Sequence, residues 1–338
     1  MNEHQSWAQR LLALGHGIQR ALRAATANSG EDFALPVAFE GGDTVFAIDR
    51  HVEPIIEQQV KVWPPECKPL VLIAEGMGAD GRRVFGDARA TPRYRVIVDP
   101  IDGTRGLMYD KRSAWFIAAA AEDRGEQTSL ADAFAAVLVE LPTTKQRWCD
   151  AFAATVGSPT TGWRSEVGGT NARALSIRPS QAPSLKFGFG QVSNFFPGTK
   201  ALVADLAERI AAETVGVSRP GEALLFEDQY ISSGGQMVEL MLGHDRYCCD
   251  LRPLFYRILS RHASDQVRGL ECHPYDVAGA LVARQAGVVI SDGFGRPLNA
   301  KLDVHSGVHW CGFANELLAR QIQPVINRWL ADHGIDPD

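Results

Sequence analysis

Val98-Asp99-Pro100-Ile101-Asp102-Gly103-Thr104 ends a run of apolar strand residues, Arg95 to Val98, on two carboxylates and a turn. Pro100 removes a ladder donor and Gly103 permits a tight reversal, so Asp99 and Asp102 are expected to converge at the strand's carboxyl end rather than diverge to opposite faces. Open α/β sheets place their ligands at that edge. Two carboxylates held so close repel unless a cation lies between them, and hard oxygen ligands suit Mg²⁺ or Mn²⁺. Taken alone, the heptapeptide reads equally well as a pair of solvated turn aspartates, because Asp-Pro and Asp-Gly are common turn dipeptides.

Two further stretches change that balance. Val71-Leu72-Ile73-Ala74-Glu75-Gly76 is a second apolar strand that delivers one carboxylate into a glycine turn. In Pro274-Tyr275-Asp276-Val277-Ala278-Gly279-Ala280, Asp276 opens a helical pattern that carries Leu281, Val282 and Ala286. A single aspartate there would be an ordinary N-cap. Four carboxylates at the ends of three separate elements read as a site.

Farther out, Leu11, Leu14, Ile18, Ala21 and Leu22 recur at helical spacing within Trp7 to Ala25. Val45, Ile48, Val52, Ile55, Ile56 and Val60 do so from Thr44 to Val62, with Asp49 near the start and Pro64-Pro65 as the stop. Short β-branched runs follow at 70–73, 95–98, 114–121 and 136–139. The Gly-, Ser- and Thr-rich stretch Gly157 to Gly169 reads as a loop between two halves, residues 1–165 with most of the acidic ligands and residues 166–338. Beyond it, strands at 185–189, 247–250, 288–291 and 308–311 alternate with helical patterns at 200–212, 236–242, 253–262, 277–286 and 315–331. That alternation predicts an α/β (α+β layered) architecture.

Composition excludes more than it assigns. The 338 residues are 45% hydrophobic and 22% charged, as in ordinary globular proteins. With 40 acidic against 34 basic residues, a net charge of −6 and no long basic run, a nucleic acid polymer is not an expected partner. Cys67, Cys149, Cys248, Cys249, Cys272 and Cys311 form no zinc spacing, and reduced thiols in a cytoplasm account for them most simply. No apolar stretch suits a signal peptide or a membrane span.

The ordered set Glu75-Gly76, Asp99 to Thr104, and Tyr275 to Ala280 followed by Gln285-Ala286-Gly287-Val288-Val289-Ile290-Ser291-Asp292-Gly293 resembles the three signatures of the inositol monophosphatase family, which also includes fructose-bisphosphatases and bisphosphate nucleotidases. The resemblance runs from about Asp43 to Leu298. It implies an αβαβα sandwich of two halves and a magnesium-dependent phosphomonoesterase with two or three ions. By position, Asp99, the Ile101 carbonyl and Glu75 would hold one metal, and Asp99, Asp102 and Asp276 a second. Glu75 and Thr104, with Asp49 behind the threonine hydroxyl, would orient the attacking water, and the N–H groups of Gly103 and Thr104 would meet phosphate oxygens. Ser233 and Gly234 would line the substrate pocket, and Asp250 or a neighbour would contact substrate hydroxyls. The implied partner is a small phosphorylated metabolite: an inositol phosphate, histidinol phosphate, fructose 1,6-bisphosphate or an adenosine bisphosphate. A homodimer is common among relatives.

The chain departs from the family pattern at four places. Gly76 stands where a second glutamate is usual, Tyr275 where a tryptophan is, and Arg105-Gly106-Leu107 replaces the residues that usually follow Thr104. About twenty residues, Leu251 to Glu271, have no counterpart in small inositol monophosphatases. The dehalogenase-type loop Asp-x-Asp-Gly-Thr is excluded, since Pro100 occupies the position of its nucleophile. A non-catalytic sugar-phosphate binder would have no need of Glu75. His305 and His309 lack a third metal ligand and read as loop or packing residues. Cys248 and Cys249 are expected to alternate in and out of a strand.

Overall fold

A computed structural model describes residues 2–28, 36–40, 43–77, 80–216, 219, 222–261, 263 and 265–337; the side chains of residues 26–28, 36–40, 43–47 and 49–51 are outside that description. The chain begins with α1 (Glu3–Asn28), the hairpin β1 (Pro36–Glu40) and β2 (Asp43–Phe46), and α2 (Ala47–Lys61). It continues through β3 (Leu70–Ala74), β4 (Arg82–Phe85), β5 (Tyr94–Asp102), the short α3 (Thr104–Met108), β6 (Ala114–Glu122), β7 (Ala133–Leu141), β8 (Trp148–Thr155), β9 (Thr161–Glu166) and β10 (Ala172–Ala174). The second half holds β11 (Phe189–Val192), α4 (Lys200–Thr214), α5 (Ser233–Met241), β12 (Asp245–Asp250), α6 (Arg252–Ser260), α7 (Ala280–Gln285), β13 (Val289–Asp292), β14 (Trp310–Phe313) and α8 (Glu316–Asp332).

Among the described residues, the strands after the first hairpin form two sheets. The larger runs β10-β9-β8-β7-β6-β5-β3-β4 and the smaller β11-β12-β14-β13. Helices α1 and α2 cover one face of the large sheet, α5 and α7 lie between the sheets, and α4 and α8 cover the far face of the small one. The five layers are the expected αβαβα sandwich. Burial on both faces explains the unbroken apolar runs, because alternate residues feed different cores. Ile97, Trp115, Ile117 and Ala119 face the inter-sheet core, while Val96, Val98, Phe116 and Ala118 face α1 and α2. Deleting a wholly buried ring such as Phe116 would cost about 3–5 kcal/mol.

Three expectations are corrected. The stretch 157–169 is not a loop: Thr161–Glu166 pairs with β8 between glycine turns at 157 and 168, and β10 extends the large sheet past residue 165. The inter-sheet core also draws on both halves, from Val71 to Ile335. The second helical pattern starts later than residue 44, because residues 43–46 pair as a strand. Finally, Cys248 and Cys249 do not alternate between inside and outside. Both are fully buried, because β12 is covered on both faces.

The decisive heptapeptide is where the large sheet breaks its rhythm. Asp99 opposes Ile117 and Asp102 opposes Trp115, so three steps along β5 match two along β6. An extra residue of this kind is a bulge, and it flips strand parity. In a regular strand, residues three apart face opposite sides. Here both aspartates share the face of Ile117 and Trp115, toward α5 and α7. Gly103, at φ 95°, then turns the chain into α3. A Cβ on it would lie 3.0 Å from the Ile231 carbonyl oxygen and 3.1 Å from Ser232 Cβ, so only glycine fits beside α5.

Candidate metal centre and active site

The bulge brings Asp99 and Asp102 to the floor of a cavity of about 500 Å³. Asp276, in the turns that lead into α7, completes a group whose carboxylate oxygens lie within 4.8 Å of one another. Glu75 lines the same cavity from the turn after β3, as do Ile101, Gly103 and Thr104, but Glu75 is exposed and stands outside that tight group. Asp49 lies on α2 with its side chain outside the described residues.

Each carboxylate is held by short local bonds. Asp99 Oδ1 accepts the Ile101 N–H at 3.0 Å, and Asp276 Oδ2 accepts the His273 N–H at 2.5 Å. Asp102 has three donors from α5: the Ser232 hydroxyl at 2.6 Å, the Ser233 N–H at 3.2 Å and the Gly234 N–H at 2.6 Å. The Thr104 hydroxyl donates to the Ile101 carbonyl at 2.8 Å. That carbonyl keeps a second lone pair for another ligand.

Burial raises the pKa of all three aspartates. Asp99 is lifted well above the carboxylate range by desolvation, then by the charges of Asp102, Asp276 and Glu75. Asp102 is pushed up to about 7 by desolvation and Asp276, against the three α5 donors that lower it. Asp276 is raised by desolvation, with His273 and Arg252 opposing. Buried like charges at this spacing are costly without a cation. An all-oxygen donor set of this size and charge fits Mg²⁺ or Mn²⁺, so the residues present suit the implied metals.

The substrate-side expectations are redistributed. Ser233 lines the cavity; Gly234 does not, and serves instead as a donor to Asp102. Asp250 is corrected outright. It is wholly buried, and its oxygens are taken by Arg252 through Nε at 2.9 and 3.0 Å and Nη2 at 2.6 Å. Arg252, not Asp250, lines the cavity.

Sequence reasoning missed Glu53, Phe195, Phe196, Arg252, Glu271 and His273, all of which line the cavity. Glu53 had a usable signal, since it follows Asp49 by four residues on one helix face. The pair Phe195-Phe196, half-buried in a loop after β11, is the aromatic kind of exposure that marks ligand surfaces. Nothing in the sequence separates Glu271 from other acidic residues of the insert.

No family model matches the sequence, and no curated protein is significantly similar to it. Solved structures are. Extragenic suppressor protein suhB from Bartonella henselae matches at 15% identity and TM-score 0.64, over 96% of this chain and 99% of that one. Fructose-1,6-bisphosphatase from Leishmania major matches at 14% and 0.63, over 95% and 92%. An IMPase from Thermotoga maritima matches at 16% and 0.58, over 99% and 100%. The fold is that of the inositol monophosphatases. Among the described residues of this inositol monophosphatase fold, no helix is long and apolar enough to cross a membrane.

Proposed function

We propose that the protein is a Mg²⁺-dependent phosphatase that hydrolyses a small phosphomonoester by direct attack of water. The carrying observation is the convergence of Asp99, Asp102 and Asp276 within 4.8 Å at the bulged end of β5, on a fold shared with phosphatases. Divalent cations, when bound, neutralise a phosphate dianion and lower the pKa of water. Glu75, Asp99, the Ile101 carbonyl, Asp102 and Asp276 would hold two or three of them.

The chain's own groups then have separable roles. Asp102 stays fixed because three α5 donors leave it one geometry. Thr104 Oγ1, pinned to the Ile101 carbonyl at 2.8 Å, and Glu75 at the same wall orient water toward the phosphorus. The Gly103 and Thr104 N–H groups, at the start of α3, face the ester oxygens. No serine or cysteine nucleophile is needed, and Cys272, between the cavity residues Glu271 and His273, is fully buried with its pKa raised, foremost by desolvation. The test is phosphate release from inositol, sugar and nucleoside phosphates in Mg²⁺ and in chelator, with Asp102→Asn alongside. Turnover in Mg²⁺ that vanishes in chelator and in the variant is the expected result. Binding without turnover would make the protein a sugar-phosphate binder.

A further inference from the structure

Tyr230 is buried two residues ahead of Ser232, the N-cap of α5. Its hydroxyl donates to the Ser113 carbonyl at 2.8 Å, just before β6, and accepts the Trp115 indole N–H at 2.9 Å. Trp115 is the residue that stands opposite Asp102 at the end of the bulge. At its other end, the Tyr230 carbonyl accepts the Ser232 N–H at 2.9 Å and the Gln236 side-chain amide at 2.9 Å. One residue therefore ties the first turn of α5, which supplies all three donors to Asp102, to the place on β6 that Asp102 pairs with.

Packing closes the same joint. A Cβ on Gly235 would run into the Tyr230 ring, and one on Gly234 would lie 3.1 Å from Asp102 Oδ2. The paired glycines let this turn touch both the ring and the carboxylate. Arg112 places its guanidinium 3.8 Å from the ring centroid, a second restraint on the ring. Burial raises the phenol's pKa, so the hydroxyl keeps the proton it donates. A phenyl ring would fill the same space. What the hydroxyl adds is a fixed separation between α5 and β6, and without it the buried Trp115 N–H loses its partner. Building on the metal-dependent phosphatase reading, we infer that Tyr230 is a positioning residue: it seats the first turn of α5 on β6 and, through Ser232, holds Asp102 in the geometry that a divalent cation needs.

Titration with Mn²⁺, followed by the paramagnetic resonance of the free ion, reads metal affinity without any substrate. In Tyr230→Phe, well below its melting temperature, the Mn²⁺ dissociation constant should rise about threefold to tenfold, as when a group that orients a metal ligand is lost. Because the effect runs through Ser232, adding Tyr230→Phe to Ser232→Ala should change the constant by less than about twofold. Gly235→Ala, which displaces the ring although alanine favours a helix, should reproduce the loss and carries the test if Tyr230→Phe does not fold. A Tyr230→Phe protein that melts lower but binds Mn²⁺ like the parent overturns the inference and leaves the hydroxyl as a packing bond. Losses that add in full in the double variant overturn it too, since Tyr230 would then act apart from Ser232. A parent with no saturable Mn²⁺ binding overturns both this inference and the metal assignment. Mn²⁺ binding without hydrolysis of any phosphate ester overturns the phosphatase reading alone, and the affinity ratios still decide the role of Tyr230.

Discussion

The hydroxyl of Ser232 donates to Asp102 Oδ2 at 2.6 Å and at the same time accepts the Gly235 N–H at 2.9 Å. A helix N-cap of the second half thereby holds a carboxylate delivered by the first. Ser232→Ala loses both bonds. The cap is worth about 1 kcal/mol of stability. The bond to Asp102 lowers that residue's pKa, so its loss raises the pKa further and lets protons compete better for the carboxylate. The Mg²⁺ concentration that gives half-maximal phosphate release should rise severalfold, more at pH 6 than at pH 8. An unchanged Mg²⁺ requirement at pH 6 would show that Ser232 only caps α5.

Asp99 makes stability and activity pull apart. Its carboxyl is disfavoured in the charged form by burial and then by three neighbouring acids, so Asp99→Asn relieves repulsion in the metal-free protein. In chelator the variant should melt a few degrees higher than the parent. Added Mg²⁺ should raise the parent's Tm and leave the variant's nearly unmoved, and turnover should drop by about a hundredfold or more. Thermal melts with and without Mg²⁺ check the first two points. A variant less stable than the parent in chelator would mean that the Ile101 N–H bond to Asp99 outweighs the repulsion.

The site's carboxylates were legible because each ends an apolar run on a turn, and the layered fold followed from the alternation of runs and helical patterns. Three things were not. The parity of Asp99 and Asp102 depends on a bulge, and Pro100 hints at an interrupted ladder without saying which residue is extra. The fate of Asp250 depended on Arg252 two residues later; such a pair reads as solvated until burial on both faces of β12 is known. Strand β9 was hidden because Thr161 to Glu166 lacks the apolar period of a two-faced strand: only Gly162 in it is fully buried. Its burial is set by neighbours, which propensity does not see.

Stability should depend on pH in a direction that Mg²⁺ removes. Asp102 titrates near 7 in the folded chain against 3.8 as its ordinary value, and Asp99 is displaced the same way. Between those limits the folded state binds more protons than the unfolded one, so unfolding free energy falls as pH rises. In chelator the protein should therefore lose stability from about pH 4 to pH 7, by a few kcal/mol at most, where paired carboxylates would show the opposite slope. Denaturant titrations in chelator and in Mg²⁺ at pH 5 and pH 7.5 test it. A metal-free stability that rises over this range would contradict the assignment.

Gly76 stands where the family pattern has a second glutamate, and the space is already occupied. Its φ is +75°, and a Cβ there would lie 2.4 Å from Glu53 Oε1. Glu53 can swing aside, so the steric cost is small, but the left-handed backbone costs about 1–2 kcal/mol for any other residue. Gly76→Glu should therefore not raise phosphate release. It should lower stability by about that amount, displace a carboxylate that lines the cavity and raise the Mg²⁺ concentration needed for phosphate release. The two positions are in contact, so their effects should be non-additive. Glu53→Ala alone should lower the apparent Mg²⁺ affinity, and Glu53→Ala with Gly76→Glu should recover part of it, because one carboxylate again faces the cavity from that wall. Mg²⁺ titrations of the two single variants and the double variant give the coupling directly; strictly additive losses would mean that Glu53 and residue 76 serve different ends of the site.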